Sequence, residues 1–307
     1  MSYHVAPIIG YHRAPLSQKF GAPRQPNLVA IMSVIDMQAP YDTPLACAGL
    51  ENFSHIWVSW QFHHNQVNKS GINQSNKGDS DSDSEAVMAT SHAYAETKFR
   101  AQIRPPRLGG NKKVGVFASR SMYRPSGLGL SVVKLERIEC IEGRVLLVIR
   151  GADMIDGTPI IDIKPYVAYS DAIMTANSGF AARAPVRVMV TITQDAWQQF
   201  QQMVSTTLPD YPDSYLHKYP DKHQNNYQNN YQNNKKTATA IELIYTIQQQ
   251  LVMSDIEHIK ALVAQDPRPA YRRDELNAAF TMRYKLVDVR FELIAIGQLQ
   301  ITAIYAV

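Results

Sequence analysis

Two adjoining stretches decide the fold class: LSVVKLERIEC (Leu130–Cys140) and RVLLVIRGAD (Arg144–Asp153). Both are short, dense in Val, Ile and Leu, and separated by a glycine. β-branched runs bounded by turn residues predict strands, and no long 3.6-residue periodicity competes with that reading. The same pattern extends outward to NLVAIMSV (Asn27–Val34), HIWVSWQF (His55–Phe62) and KVGVFASR (Lys113–Arg120). Strand following strand, without helices between, predicts a β-barrel or sandwich and argues against alternating βαβ units.

Further along, the character changes. TQDAWQQFQQMV (Thr193–Val204) has an apolar stripe behind a possible Thr193 N-cap. TATAIELIYTIQQQLVMSDIEHIKALVAQ (Thr237–Gln265) predicts one or two helices, stopped by DPRPAY (Asp266–Tyr271). FTMRYKLVDVRFELIAIGQLQITAIYAV (Phe280–Val307) reads as strands with a hairpin turn near Gly297. The expected organisation is a mainly β, barrel-like domain over 1–175 and a small α+β domain over 186–307. Their join falls near Asp171–Pro185, where Gly, Ala, Asn and Pro accumulate. Two insertions interrupt this plan. One, at about 68–86, contains KSGINQSNKGDSDSDSE, has no apolar face and reads as disordered; the other, at about 218–237, carries a tandem Tyr-Gln-Asn-Asn repeat.

Charge is unevenly placed over the 307 residues. The formal charge is +4, but the first insertion contributes −2, which leaves +6 elsewhere. No acidic residue occurs from Lys98 to Leu135, a stretch with nine cations. Such a segment needs an anionic partner to offset self-repulsion, which favours nucleic acid. Two cysteines exclude a disulfide framework and a four-cysteine zinc ribbon, so reduced thiols and a cytoplasmic location are expected. The N-terminus lacks the apolar core of a signal peptide, and no run of about 18 apolar residues predicts a membrane span.

The common catalytic templates are missing. There is no G-x-x-x-x-G-K-[ST], SGLGLS (Ser126–Ser131) is not a dinucleotide fingerprint, and neither H-E-x-x-H nor G-x-S-x-G occurs. Four unusual segments remain: GAPRQP (Gly21–Pro26), FSHIWVSWQFHH (Phe53–His64), Arg104–Ser131 and GADMIDGTPIIDIKPY (Gly151–Tyr166). Each sets Gly, Pro and charge at the ends of strand-like runs, where a scaffold presents binding loops. In RPPRLGG, Arg104 and Arg107 bracket a Pro-Pro pair able to aim two guanidinium forks at phosphate or carboxylate. Asp153 and Asp156 taken alone fit a plain turn first, Asp and Gly being the usual turn residues; carboxylates that meet hydroxyls or an ammonium, or orient the arginines, are the other reading. His63 and His64 point to opposite faces of a strand, so one at most lines a pocket. His55, His63 and His92 lack zinc-ligand spacing. Arg268, Tyr271, Arg272 and Arg273 in AQDPRPAYRR leave a structural turn and an RNA contact both open.

Read together, I-G-Y-H-R-A-P, K-F-G-A-P-R-Q-P, G-L-E-N-F-S-H-I-W-V, R-P-P-R-L-G-G-N, G-V-F-A-S-R-S-M-Y-R-P-S-G-L-G-L-S, D-M-I-D-G-T-P-I-I-D-I-K-P-Y and A-Q-D-P-R-P-A-Y resemble the TsaA/YaeB-like family of TrmO-type tRNA (adenine-N6)-methyltransferases. These motifs run in order from Ile9 to Tyr271 and skip only the insertions. The resemblance implies a non-Rossmann β-barrel that binds S-adenosylmethionine (SAM), a homodimer and no metal. It also implies N6-methylation of threonylcarbamoyladenosine beside the anticodon of tRNA. Carried over, the cofactor pocket comprises Pro23, Arg24, Gln25, His63, His64, Arg120, Leu130, Asp153, Met154, Ile155, Asp156 and Gly157. Asp153, Asp156 and Tyr123 are candidates for removing the N6 proton. Arg104, Arg107, Lys112, Lys113, Arg124, Arg268, Tyr271, Arg272 and Arg273 are the expected RNA contacts. The sequence departs from the common family text in two places: R-P-S-G-L-G replaces R-P-N-P-I-G, and His64 replaces a frequent Gln. The expected activity is a SAM-dependent tRNA methyltransferase. A catalytically silent RNA- or nucleotide-binding module, or a SAM enzyme with another acceptor, stands as the alternative.

Overall fold

The computed structural model describes residues 4–63, 99–109, 112–206 and 239–307. Both insertions, His64 and His92 lie outside the described residues. In chain order, strands β1 (Gly10–Arg13), β2 (Met32–Met37) and β3 (His55–Gln61) are followed by a two-stranded arm, β4 (Gln102–Ile103) and β5 (Val114–Gly115). Then come β6 (Leu128–Ile141), β7 (Arg144–Arg150) and β8 (Pro159–Pro165). The six longer strands close a barrel in the order β1-β2-β7-β6-β3-β8, every pair antiparallel. The barrel expected from the sequence is the fold observed.

Strand alternation explains the barrel core. Ile56, Val58 and Trp60 of β3 point inward to meet Ile35, Val133, Leu147, Ile149 and Ile160. β7 is different: its residues Val145 to Ile149 are all buried. Helix α3 (Ala240–Gln248) covers its outer face, packing Ile244, Tyr245 and Ile247 on Val34, Leu146 and Val148. A strand buried on both faces reads as a continuous apolar run, as this one does. The helix starts at Thr239 through a capping box, Thr239 Oγ1 accepting from the Glu242 amide at 3.1 Å and Glu242 returning the contact at 2.8 Å. Beneath it, the buried Asp36 carboxylate accepts from Arg13 Nη2 at 3.0 Å and Arg144 Nη2 at 2.7 Å.

After the barrel, α1 (Ala168–Asp171) leads into a mostly exposed segment and then strand β9 (Met189–Ile192). A second sheet has the order β10 (Phe280–Tyr284), β11 (Val287–Ala295), β12 (Gln298–Ala306), β9, with β9 parallel to β12. Helices α2 (Gln194–Thr206) and α4 (Asp255–Val263) bury Phe200, Ile259 and Leu262 against it. Thr193 caps α2, its Oγ1 accepting from the Ala196 amide at 3.2 Å, and Gly297 turns the β11–β12 hairpin with φ +75°. The two units share packing: Leu16, Val29 and Ile31 of the N-terminal loops complete the core of the C-terminal sheet.

One expected strand is cut short. KVGVFASR pairs only at Val114–Gly115, and Val116–Ala118 forms a 3-10 turn. Its partner β4 is two residues long, so little ladder is available to extend it.

Gly129 on β6 lies flat against the Trp60 indole across the ladder; a Cβ there would sit 2.2 Å from the ring. Gly129→Ala therefore overpacks the barrel mouth and should cost about 1–3 kcal/mol. Urea unfolding measures it, and a midpoint equal to wild type would show that the indole is free to move.

Candidate functional site

The connection from β7 to β8, Gly151–Thr158, lies across one mouth of the barrel and is tied down along its length. The Asp156 amide donates to Leu16 O at 2.7 Å, the Gly157 amide to His12 O at 2.8 Å, and the His12 amide to Thr158 O at 2.9 Å. Thr158 Oγ1 donates to Ile155 O at 2.7 Å. These bonds permit the tight turn at Gly157, whose φ of +75° favours glycine.

Buried His12 completes the clamp. Its Nδ1 is 3.1 Å from Ile155 O and its Nε2 is 2.7 Å from Ser33 Oγ. A carbonyl only accepts, so Nδ1 carries the proton and Nε2 accepts from Ser33. Burial lowers the His12 pKa to about 4, opposed by the bond to Ile155 and reinforced by the Arg13 charge. The ring is neutral near pH 7.

Around this turn the structure gathers several expected cofactor residues. His63, at the end of β3, places Nε2 3.9 Å from where a Cβ on residue 157 would lie. Arg120 Nη1 donates to Gln25 Oε1 at 2.6 Å. The Gln25 loop is anchored to the same edge, with Asn27 N bonded to Gly151 O at 2.8 Å and Asn27 Nδ2 to Val132 O at 2.9 Å. Asp153 Oδ1 accepts from Ser131 Oγ at 2.6 Å, and Ser131 accepts from the Trp60 indole at 3.0 Å. Burial raises the Asp153 pKa, while the Ser131 hydrogen bond, its own backbone and the Arg120 charge pull it down. Leu130 is half exposed beside Ser131.

The remaining expected cofactor residues separate. Met154 and Ile155 have buried side chains, which leaves their backbone as the part able to face a ligand. Pro23 is buried and Arg24 is exposed; desolvation lowers the Arg24 pKa, the Arg273 charge adding to that and Asp266 opposing it. Asp156 is occupied as an acceptor, taking the Ala14 amide at 3.1 Å and the Gln248 side-chain amide of α3. Tyr123 is exposed with the Arg100 guanidinium 4.4 Å from its ring centre.

Among the expected RNA contacts, Arg104, Arg107, Lys112 and Lys113 are exposed on the arm, and Arg107 reaches the Arg183 carbonyl. Arg124 is half buried, with Nη2 donating to Leu128 O at 2.6 Å. Arg268 is 1% exposed and forms a two-point pair with Asp266, so it is not a surface contact. Tyr271 is 85% exposed beside it. Arg272 pairs with Glu275 at 2.8 Å and lies over the Phe280 ring.

Sequence reasoning passed over His12, Ser33, Ser131, Gln248 and Asp266. The available signal was polar residues inside apolar runs, which need partners when buried. Among the described residues, no group of three or more His, Cys, Asp or Glu could hold a metal ion, and no helix is long and apolar enough to cross a membrane.

The tRNA-methyltransferase O N-terminal domain matches residues 11–92 and 80–172. The tRNA (adenine(37)-N6)-methyltransferase of Escherichia coli K12 is 30% identical over 94% of this chain and 95% of its own length. The chain belongs to the TrmO family. A putative SAM-dependent methyltransferase, RcsF, of Pseudomonas aeruginosa is 32% identical over 95% of this chain and 93% of that protein. A TrmO crystal structure superposes with a TM-score of 0.61 at 25% identity, both chains covered in full. The TrmO family therefore accounts for both units of the chain, the C-terminal sheet as well as the barrel.

The His12 clamp makes a pH prediction. Its folded pKa lies below the unfolded value of 6.5, so its stabilisation is complete above pH 6.5 and is lost as the pH falls towards 4. Wild type should lose about 3 kcal/mol across that window from this group. His12→Asn should be less stable at pH 7 and flatter in its decline. Parallel stability–pH curves for the two proteins would contradict the assignment.

Proposed function

We propose that this chain is a SAM-dependent tRNA methyltransferase that converts threonylcarbamoyladenosine to its N6-methyl form. The observation that carries the reading is the convergence of Gln25, His63, Arg120, Asp153 and the Gly157 turn at one barrel mouth. Their chemistry fits the cofactor. Arg120 suits its carboxylate, Asp153 its ammonium or ribose hydroxyls, and Gln25 and the backbone of Met154 to Gly157 its adenine edge. SAM supplies an electrophilic methyl group on a positively charged sulfur.

The chain's own residues do the positioning. In-line displacement gains most from alignment, which the many hydrogen bonds across the Gly151–Thr158 connection supply. A urea-like N6 has a delocalised lone pair and must lose its proton during attack. Of the three candidates, Asp153 has the surroundings that favour proton uptake, since burial raises its pKa; Asp156 is already engaged by Ala14 and Gln248. Exposed arm cations Arg104, Arg107, Lys112 and Lys113 serve the RNA backbone.

A homodimer belongs to the same proposal. Tyr169, Ile173, Met174 and Val186 are 69–94% exposed along the segment between the units, an apolar surface that a second copy would cover.

Mass spectrometry of nucleosides from tRNA incubated with SAM and purified protein tests the reading. Conversion of threonylcarbamoyladenosine is expected; unchanged nucleoside would sink it. Calorimetric titration separates the other outcomes: SAM binding without turnover indicates a silent module or another acceptor, and no SAM binding removes the methyltransferase class. Arg120→Ala should weaken SAM binding about 10-fold or more with the fold intact; wild-type binding and kinetics would refute the pocket.

A further inference from the structure

The arm carries an aromatic pair that the barrel does not use. Phe99 and Phe117 stand 6.2 Å apart by ring centres, tilted 33° to each other, and are 58% and 76% exposed. Local structure holds them out. Val116 N donates to Ala101 O at 2.9 Å, which extends the β4–β5 pairing by one rung and sets the two segments side by side. Val116 itself is buried, and Ser119 Oγ donates to its carbonyl at 2.7 Å, so the 3-10 turn is pinned at Val116 while the next ring projects outward. A third aromatic, Tyr123, is 43% exposed with the Arg100 guanidinium 4.4 Å from its ring centre.

Arg120 ties these rings to the cofactor mouth. It bonds to Gln25, and it lies three residues after Phe117 and three before Tyr123. Three residues span at most about 11 Å of chain, so both aromatics stand beside the mouth. Isolated exposed apolar side chains need no explanation, but rings grouped beside a binding mouth do. Their surroundings select the partner. From Phe99 to Arg124 the chain has seven cations and no carboxylate. A two-fold contact between copies centred here would set seven cations against seven, which repels. Single-stranded RNA brings both flat apolar rings and negative charge: unpaired bases stack on aromatic side chains while basic residues follow the phosphates.

We propose that Phe99 and Phe117 form a stacking platform for unpaired bases of the RNA substrate, next to the nucleotide presented at the cofactor mouth. This rests on the tRNA methyltransferase reading above. Arg100 on Tyr123 widens the platform, since a guanidinium plane is also a surface on which a base stacks. The cations draw the RNA in, and the rings fix where its loop lies.

Binding tests this without turnover. Full-length protein is titrated by fluorescence anisotropy against an anticodon stem-loop RNA, and against a series in which each unpaired loop nucleotide in turn is abasic. Phe117→Ala, its folding checked by circular dichroism, should weaken binding of the intact RNA about 5-fold or more. The slope of affinity against salt should stay unchanged, because no charge is lost. In wild type, removing the base at one or two loop positions should cost a similar factor; in Phe117→Ala the same removals should cost nothing further. Phe99→Ala should act in the same direction. Phe117→Tyr should bind as wild type, whereas Phe117→Leu keeps an apolar contact with Phe99 but no ring face and should not recover. Wild-type affinity in Phe117→Ala, losses that add in full, or full recovery with leucine would overturn the platform. So would a fall in oligomer mass of Phe117→Ala in sedimentation, which would assign the rings to a second copy. Wild type that binds no RNA would sink the methyltransferase reading along with the platform; RNA binding indifferent to Phe117 removes the platform alone.

Discussion

Pairing of the first barrel strand with the last is the constraint on which the site depends. β1 meets β8 at only two positions, Gly10 with Ile160 and Tyr11 with Pro159. The chain then leaves the ladder without losing contact. His12 bonds to Thr158, Gly157 and Ile155, Ala14 to Asp156, and Leu16 to Asp156, so barrel closure continues as the clamp on the site turn. Gly10 allows it, because a Cβ there would lie 2.8 Å from Asp36 O on β2. The same short segment reaches the second unit. Pro15 O accepts from the Lys285 amide at 2.7 Å, and Lys285 Nζ pairs with buried Asp255 at 2.8 Å, which also accepts from Tyr284 at 2.7 Å. One stretch of about seven residues thereby closes the barrel, shapes the turn and seats the C-terminal sheet.

That economy explains what the sequence reveals and what it hides. RVLLVIR reads as a buried strand from its own residues, and the barrel follows from its neighbours. The helix that buries its outer face lies about 100 residues later, beyond the low-complexity repeat, so the packing of α3 on β7 has no local signal. Convergence of the site is legible only in part. Arg120 and Asp153 attract notice as charges in Gly- and Pro-rich segments. Ser131 and Ser33 look like ordinary strand residues until burial demands a partner for each. Arg268 shows the opposite error. Its sequence neighbourhood suggests a solvent-facing RNA contact, yet Asp266, two residues earlier, folds it inward. Charge density along a chain does not distinguish a displayed guanidinium from a buried one.

Electrostatics divide the basic segments accordingly. Arg104, Arg107, Lys112 and Lys113 stand on a thin arm whose two strands have two residues each, where solvent screens them and a polyanion can reach them. Arg268, by contrast, lies buried in the protein body with its charge paired to Asp266.

The departure from the common family text at the β6 entrance carries a structural consequence. Where R-P-N-P-I-G is frequent, this chain has Arg124-Pro125-Ser126-Gly127-Leu128-Gly129. Gly127 adopts φ +61°, and its amide donates to Arg124 O at 2.9 Å. Proline can do neither, since its ring fixes φ near −65° and it has no N–H. Ser126 Oγ supports the turn by accepting from Leu128 N at 3.3 Å, and Gly127 O accepts from Phe62 N at 3.0 Å. This turn therefore depends on a non-proline residue at position 127, and Gly129 and Ser131 beyond it contact Trp60. The exchange alters the rim next to His63 and leaves the bonds that orient Asp153 in place.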